Sequence, residues 1–100
     1  QKFIEELQKT GVDFFSNKNH KKPTARSFVL LTPDAQRTMC TFLGCASEIE
    51  DFDIDEKIFT NAEILYLEGY LWDKPPTILA LEKAISFAKN NNKKIDFIQI

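Results

Sequence analysis

Glycine, histidine and sulfur are scarce in this chain of 100 residues, which has three glycines, one histidine, two cysteines and one methionine. Gly11, Gly44 and Gly69 stand far apart, so they build no glycine-rich phosphate cradle. His20 has no second ligand nearby and reads as a solvent-exposed side chain rather than a metal ligand or a base. Cys40 and Cys45 make neither a disulfide framework nor a metal-ligand set, and read as ordinary packed residues suited to a reducing, cytoplasmic setting. No apolar run approaches the length of a membrane span, and no secretory signal pattern is visible. Charge of neither sign dominates: 13 basic and 15 acidic residues leave a net charge of −2. Mixed charge exerts no global pull on nucleic acid or an anionic membrane, so neither is an expected partner.

What is present is a globular composition, with 43% hydrophobic residues. The length suits one small domain or part of a larger one. The chain starts inside a helical pattern at Gln1, holds its only methionine at Met39, and stops inside a strand-like run. It is therefore expected to be a segment of a longer protein, a processed product, or a sequence without its flanks. Single-segment organisation over residues 1–100 follows.

Phe3, Ile4 and Leu7 lie at helical spacing, with Glu5, Glu6, Gln8 and Lys9 opposite, and Gly11 is a suitable stop. Val12–Ser16 reads as a short strand. Asn17–Lys22 is a basic loop, either a phosphate-contacting patch or, more simply, a solvated loop tip. Two β-rich runs follow, Ser27–Leu31 and Arg37–Leu43, around Thr32-Pro33-Asp34-Ala35-Gln36, whose Pro-Asp pair is turn chemistry. This predicts a β-hairpin. Alternation puts Arg37, Met39, Thr41 and Leu43 on one face and Thr38, Cys40 and Phe42 on the other. Neither face is purely polar, so the hairpin is expected to be covered on both sides within a larger body.

Ser47–Asp55 is acidic, but it lacks the glycine and terminal Glu of a calcium loop. It reads as a loop entering a short helix near Asp55–Phe59, with Asp53 or Asp55 as its cap. Ile64-Leu65-Tyr66-Leu67 reads as a buried strand. Asp73 is the expected cap of a helix with Pro75 or Pro76 in its first turn and a stripe of Ile78, Leu81, Ile85 and Ala88. Asn90-Asn91-Asn92 ends it, and Ile95–Ile100 reads as a second strand. A strand–helix–strand succession implies a parallel βαβ unit.

Ligands of open parallel sheets bind beyond the carboxyl ends of the strands, here Glu68, Gly69, Tyr70, Leu71 and Trp72. Glu68 is either an acceptor for ligand hydroxyls or a loop-bracing group. No Walker loop, G-x-G-x-x-G, G-x-S-x-G or H-E-x-x-H occurs, and no nucleophile–base pair can be assembled.

The strings P-T-x-x-S-F-V-L-L-T-P-D-A-Q-R-T-M-x-T-x-L-G and N-A-E-I-L-Y-L-E-G-Y-L-W-D, joined by an acidic linker, resemble the middle of PfkB-family (ribokinase-like) carbohydrate and nucleoside kinases. The similarity runs from about Gly11 to Asn92 and is greatest to bacterial adenosine kinase-like members. The resemblance implies a partial ribokinase-like α/β fold: a β-hairpin plus a βαβ unit of a mostly parallel sheet. It implies a parent enzyme that transfers the ATP γ-phosphate to a hydroxymethyl group of a nucleoside such as adenosine, or of a sugar, with Mg2+. The family's G-A-G-D base motif, its N-terminal glycine-rich motif and its N-x-x-E motif are absent here. The segment is thus expected to supply substrate wall, with no catalytic residue, no metal ligand and no ATP or Mg2+ bound on its own.

Carried over by position, Glu68 matches a family glutamate that reaches a substrate hydroxyl. Tyr70 and Leu71 match positions flanking the bound sugar or base. Met39, Thr41 and Leu43 match pocket-lining hairpin positions, and Ser27 a further wall position. Ala25 stands where the family usually has glycine, and K-I-D-F-I-Q-I departs from the family's strand. The competing expectation is a non-catalytic α/β remnant or interaction module. Exposed sheet edges in an isolated segment lead to an expectation of self-association.

Overall fold

The computed structural model describes residues 2–16 and 21–98. His20 and residues 99–100, and with them most of the basic loop and the end of the second βαβ strand, lie outside the described residues.

Helix α1, Lys2–Lys9, stops as its sequence predicts. Gly11 takes φ +80°, its N–H donates to the Gln8 carbonyl, and the Val12 N–H reaches back to Leu7. This pair of bonds is the Schellman closure, which needs a left-handed residue at this position. The strand expected at Val12–Ser16 does not form. Those residues have no ladder partner among the described strands, and Phe14 instead packs edge-on against Phe3 at 5.8 Å.

Strands β1 (Arg26–Leu31) and β2 (Arg37–Phe42) form the hairpin, pairing antiparallel from Arg26↔Phe42 to Leu31↔Arg37. The Ala35 N–H donates to Thr32 at 2.9 Å, closing the turn with Pro33 and Asp34 at its centre. Ala35 itself sits at φ +64°, the left-handed position that follows such a turn in a three-residue hairpin loop. Asp34 braces it, accepting from the Thr32 hydroxyl and from the Gln36 N–H. These bonds to the ionised form, Thr32 first and Gln36 next, hold its carboxyl below the usual carboxylate range.

One expectation for the hairpin is corrected. Leu43 is not part of β2: its backbone is helical (φ −74°, ψ −26°) and it leads into a 3-10 turn at Gly44–Glu48. The rest of the described residues leave the hairpin uncovered. Every residue of both strands is exposed, with Phe28 at 71% and Leu31 at 73%. Its apolar residues have no covering layer among the described residues. The projecting hairpin also explains the shape. The Cα radius of gyration is 15.9 Å, against about 13 Å for a compact chain of this length.

The body is the βαβ unit. Helix α2 (Glu56–Asn61) is capped by Asp55, whose carboxylate accepts from the Lys57 N–H at 3.0 Å. Strand β3 (Ile64–Glu68) runs into a 3-10 turn at Gly69–Leu71. Helix α3 (Pro75–Asn90) crosses back to β4 (Lys94–Ile98), which pairs with β3 in parallel. Lys74 rather than Asp73 occupies the cap of α3 and makes no side-chain cap bond, while Pro75 and Pro76 fill the first positions, where missing N–H groups cost little.

The buried stripe of α3 is Thr77, Ala80, Leu81, Ala84 and Ala88, rotated from the predicted Ile78–Leu81–Ile85–Ala88 line. Ile78 and Ile85 are half-buried at its margin. Alanines face the sheet because they let the helix approach it closely. Phe59, Ala84 and Ala88 form a core cluster joined by Leu65, Ile95, Phe87 and Ile54. Side chains alternate across a strand, so Leu65, Leu67 and Ile95 lie on the face that α3 covers. Ile64, Tyr66, Glu68, Asp96 and Ile98 lie on the other face and are exposed. The strands expected to be fully buried are therefore covered on one face only.

Candidate functional site at the carboxyl end of β3

Strand β3 carries Glu68 as its last residue, at the carboxyl end of a parallel pair. The turn Gly69–Leu71 follows immediately and closes with the Trp72 N–H donating to the Gly69 carbonyl at 3.1 Å. Trp72 then meets Phe97 of β4 edge-on at 6.0 Å, tying this turn to the neighbouring strand. Glu68 and Tyr70 are exposed and Leu71 is half-buried, so all three sit together at the position anticipated for a ligand.

The geometry adds a residue that sequence reasoning passed over. The Tyr66 hydroxyl donates to Glu68 Oε1 at 3.1 Å. Tyr66 reads as one member of an apolar run, yet its spacing of two from Glu68 puts both on one strand face. That spacing was the available signal. Partial burial pushes the Tyr66 phenol above its ordinary 10, the Glu68 hydrogen bond and charge push the same way, and Asp96 and Tyr70 add to them. Asp96 is the residue that pairs with Tyr66 across the sheet.

On the hairpin, Ser27 pairs with Thr41 and Val29 with Met39, so Ser27, Met39 and Thr41 share a face. The Ser27 and Thr41 hydroxyls lie 3.0 Å apart in hydrogen-bond contact. Leu43 lies beyond the strand end and does not continue that face. Among the described residues, no hydrogen bond joins Ser27, Met39 or Thr41 to Glu68, Tyr70 or Leu71. The hairpin group and the β3 group are two separate clusters in this chain.

What links them is the segment Gly44–Glu48 at the hairpin root. Gly44 is buried at φ +54°, and a Cβ there would stand 2.1 Å from the Pro23 carbonyl oxygen. The Cys45 N–H donates to that same oxygen at 2.9 Å. Lys22 pairs with Glu48, so the described end of the basic loop makes an ion pair within the chain. On the other side, the Thr77 hydroxyl, 1% exposed, donates to the Ser47 carbonyl at 3.2 Å, and Lys74 reaches the Ser47 hydroxyl at 3.3 Å. Thr77 was also invisible to the sequence reading, since it lies one residue off the apolar stripe.

Carboxylates of the acidic segment, those of Glu50, Asp53 and Asp55, cap backbone N–H groups, while Glu48 pairs with Lys22. Asp53 accepts from the Glu50 N–H at 2.9 Å, in a reciprocal cap with the Glu50 side chain, and Asp55 caps α2. Among the described residues, no group of three or more His, Cys, Asp or Glu is placed to hold a metal ion. A groove of about 380 Å³ is lined by Glu50, Asp51, Pro75, Pro76, Leu79 and Lys83, and contains none of the predicted site residues. No described helix is long and apolar enough to cross a membrane.

A parallel βαβ unit with a carboxylate at the strand end, preceded by a projecting hairpin, defines part of a ribokinase-like α/β domain. Solved structures agree. A protein described as a probable sugar kinase from Rhizobium etli CFN 42 superposes with a TM-score of 0.81 at 29% identity, over 95% of this chain and 29% of its own. Adenosine kinase from Sinorhizobium meliloti gives 0.81 at 30% identity, over 95% and 29%. An apo E. coli protein described as a candidate Ribokinase II gives 0.81 at 20% identity, over 94% and 31%, which speaks to the fold alone. Comparison with curated proteins gave no match. The family model "pfkB family carbohydrate kinase" matches residues 1–100, and the chain belongs to that family. It spans less than a third of the length of the kinases it superposes on.

Proposed function

We propose that this chain is a central segment of a cytoplasmic PfkB-family kinase and forms part of its acceptor-substrate wall. The parent reaction is transfer of a phosphoryl group from ATP, with Mg2+, to a hydroxymethyl group of adenosine, another nucleoside or a sugar. The observation that carries the reading is Glu68, whose exposed carboxylate ends a parallel strand and is held on one oxygen by Tyr66. A carboxylate so placed accepts hydrogen bonds from sugar hydroxyls, while Tyr70 and Leu71 flank it. Ser27, Met39 and Thr41 form the second part of the wall, on the hairpin, with Leu43 at its base.

The residues here do not fit ATP or Mg2+. The three glycines are isolated from one another, and the described side chains offer no metal-ligand cluster. In this reading the segment contributes substrate recognition, and the catalytic base is assigned to the rest of the parent kinase. Each sheet formed by the described residues has two strands, so each of these strands has an edge unpaired among the described residues, and self-association through those edges is part of the reading. A sharp monomer in light scattering counts against that part.

Calorimetric titration with adenosine, ribose and ATP tests the main reading, with kinase turnover assayed in parallel. Nucleoside or sugar binding that is lost in Glu68→Ala is the expected result. Binding that Glu68→Ala leaves intact, or no binding at all, favours a non-catalytic remnant. Phosphoryl transfer by this chain alone would refute the absence of a base.

A further inference from the structure

We infer that Tyr66 is a positioning residue: its phenol fixes the Glu68 carboxylate so that Oε2 is presented to a hydroxyl of the bound substrate. The inference rests on the reading of Glu68 as the substrate-hydroxyl acceptor.

A glutamate at a strand end has three rotatable side-chain bonds and no intrinsic reason to hold one orientation. Here a donor stands on the same strand face two residues earlier, and its hydroxyl reaches Oε1 at 3.1 Å. The bond uses one carboxylate oxygen and leaves the other to accept. Tyrosine suits the task because its ring is rigid and its hydroxyl sits at the far end of it, so a residue in mid-strand can act at the strand terminus. The groups facing the phenol are Glu68, Asp96 on β4 and Tyr70 in the following turn, and all three oppose its ionisation. It therefore remains a donor at neutral pH. Ordering Glu68 before the ligand arrives removes part of the entropic cost of binding.

The test combines two measurements on Tyr66→Phe, Glu68→Gln and the double variant. In the free chain, tyrosine ring resonances are followed by NMR through the alkaline range. Glu68→Gln is expected to move the Tyr66 titration to lower pH, and an unchanged Tyr66 titration overturns the inference, because the bond is then absent in solution. In calorimetry with adenosine, Tyr66→Phe is expected to weaken binding by about threefold to tenfold, the worth of one ordinary hydrogen bond. In the Glu68→Gln background, where only a neutral acceptor remains, it is expected to cost less than in the unaltered chain, a non-additivity that a merely structural tyrosine would not produce. If Glu68→Gln weakens adenosine while Tyr66→Phe does not, the positioning role is wrong and the Glu68 reading stands. If Glu68→Gln has no effect, or adenosine does not bind, the Glu68 reading falls and this inference with it.

Discussion

Replacing Gly44 with alanine tests how the hairpin is fastened to the body. Gly44 sits at φ +54°, where a side chain costs about 1–2 kcal/mol. The added Cβ would also lie 2.1 Å from the Pro23 carbonyl oxygen, 3.1 Å from that of Thr24 and 3.2 Å from the Phe42 ring. Two of these neighbours are backbone, which cannot swing aside as a side-chain tip would. Relief requires the Pro23 backbone to move away, and the 2.9 Å bond from the Cys45 N–H goes with it. Adding roughly 1 kcal/mol for that bond gives a destabilisation of about 2–3 kcal/mol. Gly11→Ala is the control: it also has positive φ, +80°, but no neighbouring heavy atom lies within 4 Å of the new Cβ. It carries the conformational cost alone. Urea titration gives the two changes in stability, and amide exchange across Arg26–Phe42 reports whether the hairpin root has opened. Equal costs for the two variants, or unchanged exchange in Gly44→Ala, would refute the close-approach argument.

Thr77→Val removes one buried hydroxyl with little change of shape and leaves the Ser47 carbonyl without its partner. A loss of about 1–2 kcal/mol is expected in denaturant titration followed by Trp72 fluorescence, and a neutral result would show that water replaces the bond. The Asp34 carboxyl is held below its ordinary 3.8, so its support of the turn is present above that value and fades as pH falls through the lower, folded one. Hairpin amide shifts should show this acid transition, and Asp34→Asn should abolish it.

Local chemistry made much of this molecule legible in its sequence. A proline–aspartate turn between β-rich runs specified the hairpin, a left-handed glycine ended α1, and two prolines opened α3 after a strand-length apolar run. Glu68 could be placed at a strand end for the same reason: position along an element is a property of neighbouring residues. The family resemblance gave that position a proposed role, and the match over residues 1–100 agrees with the family itself.

Other features depended on which surfaces meet. Alternation showed that Leu65 and Tyr66 face opposite ways, but only the packing of Ala84 and Ala88 decided which face α3 covers. Apolar residues on both faces of the hairpin predict burial within a larger body, and covering them takes a layer that the described residues do not supply. The bond between Tyr66 and Glu68, the seat of Thr77 under Ser47 and the approach of Gly44 to Pro23 each join groups whose meeting is set by backbone geometry and packing. Residue order determined the elements and their ends. Tertiary structure decided the covered face, the anchoring of the hairpin and the orientation of Glu68, because those depend on distances between atoms that local propensity does not encode.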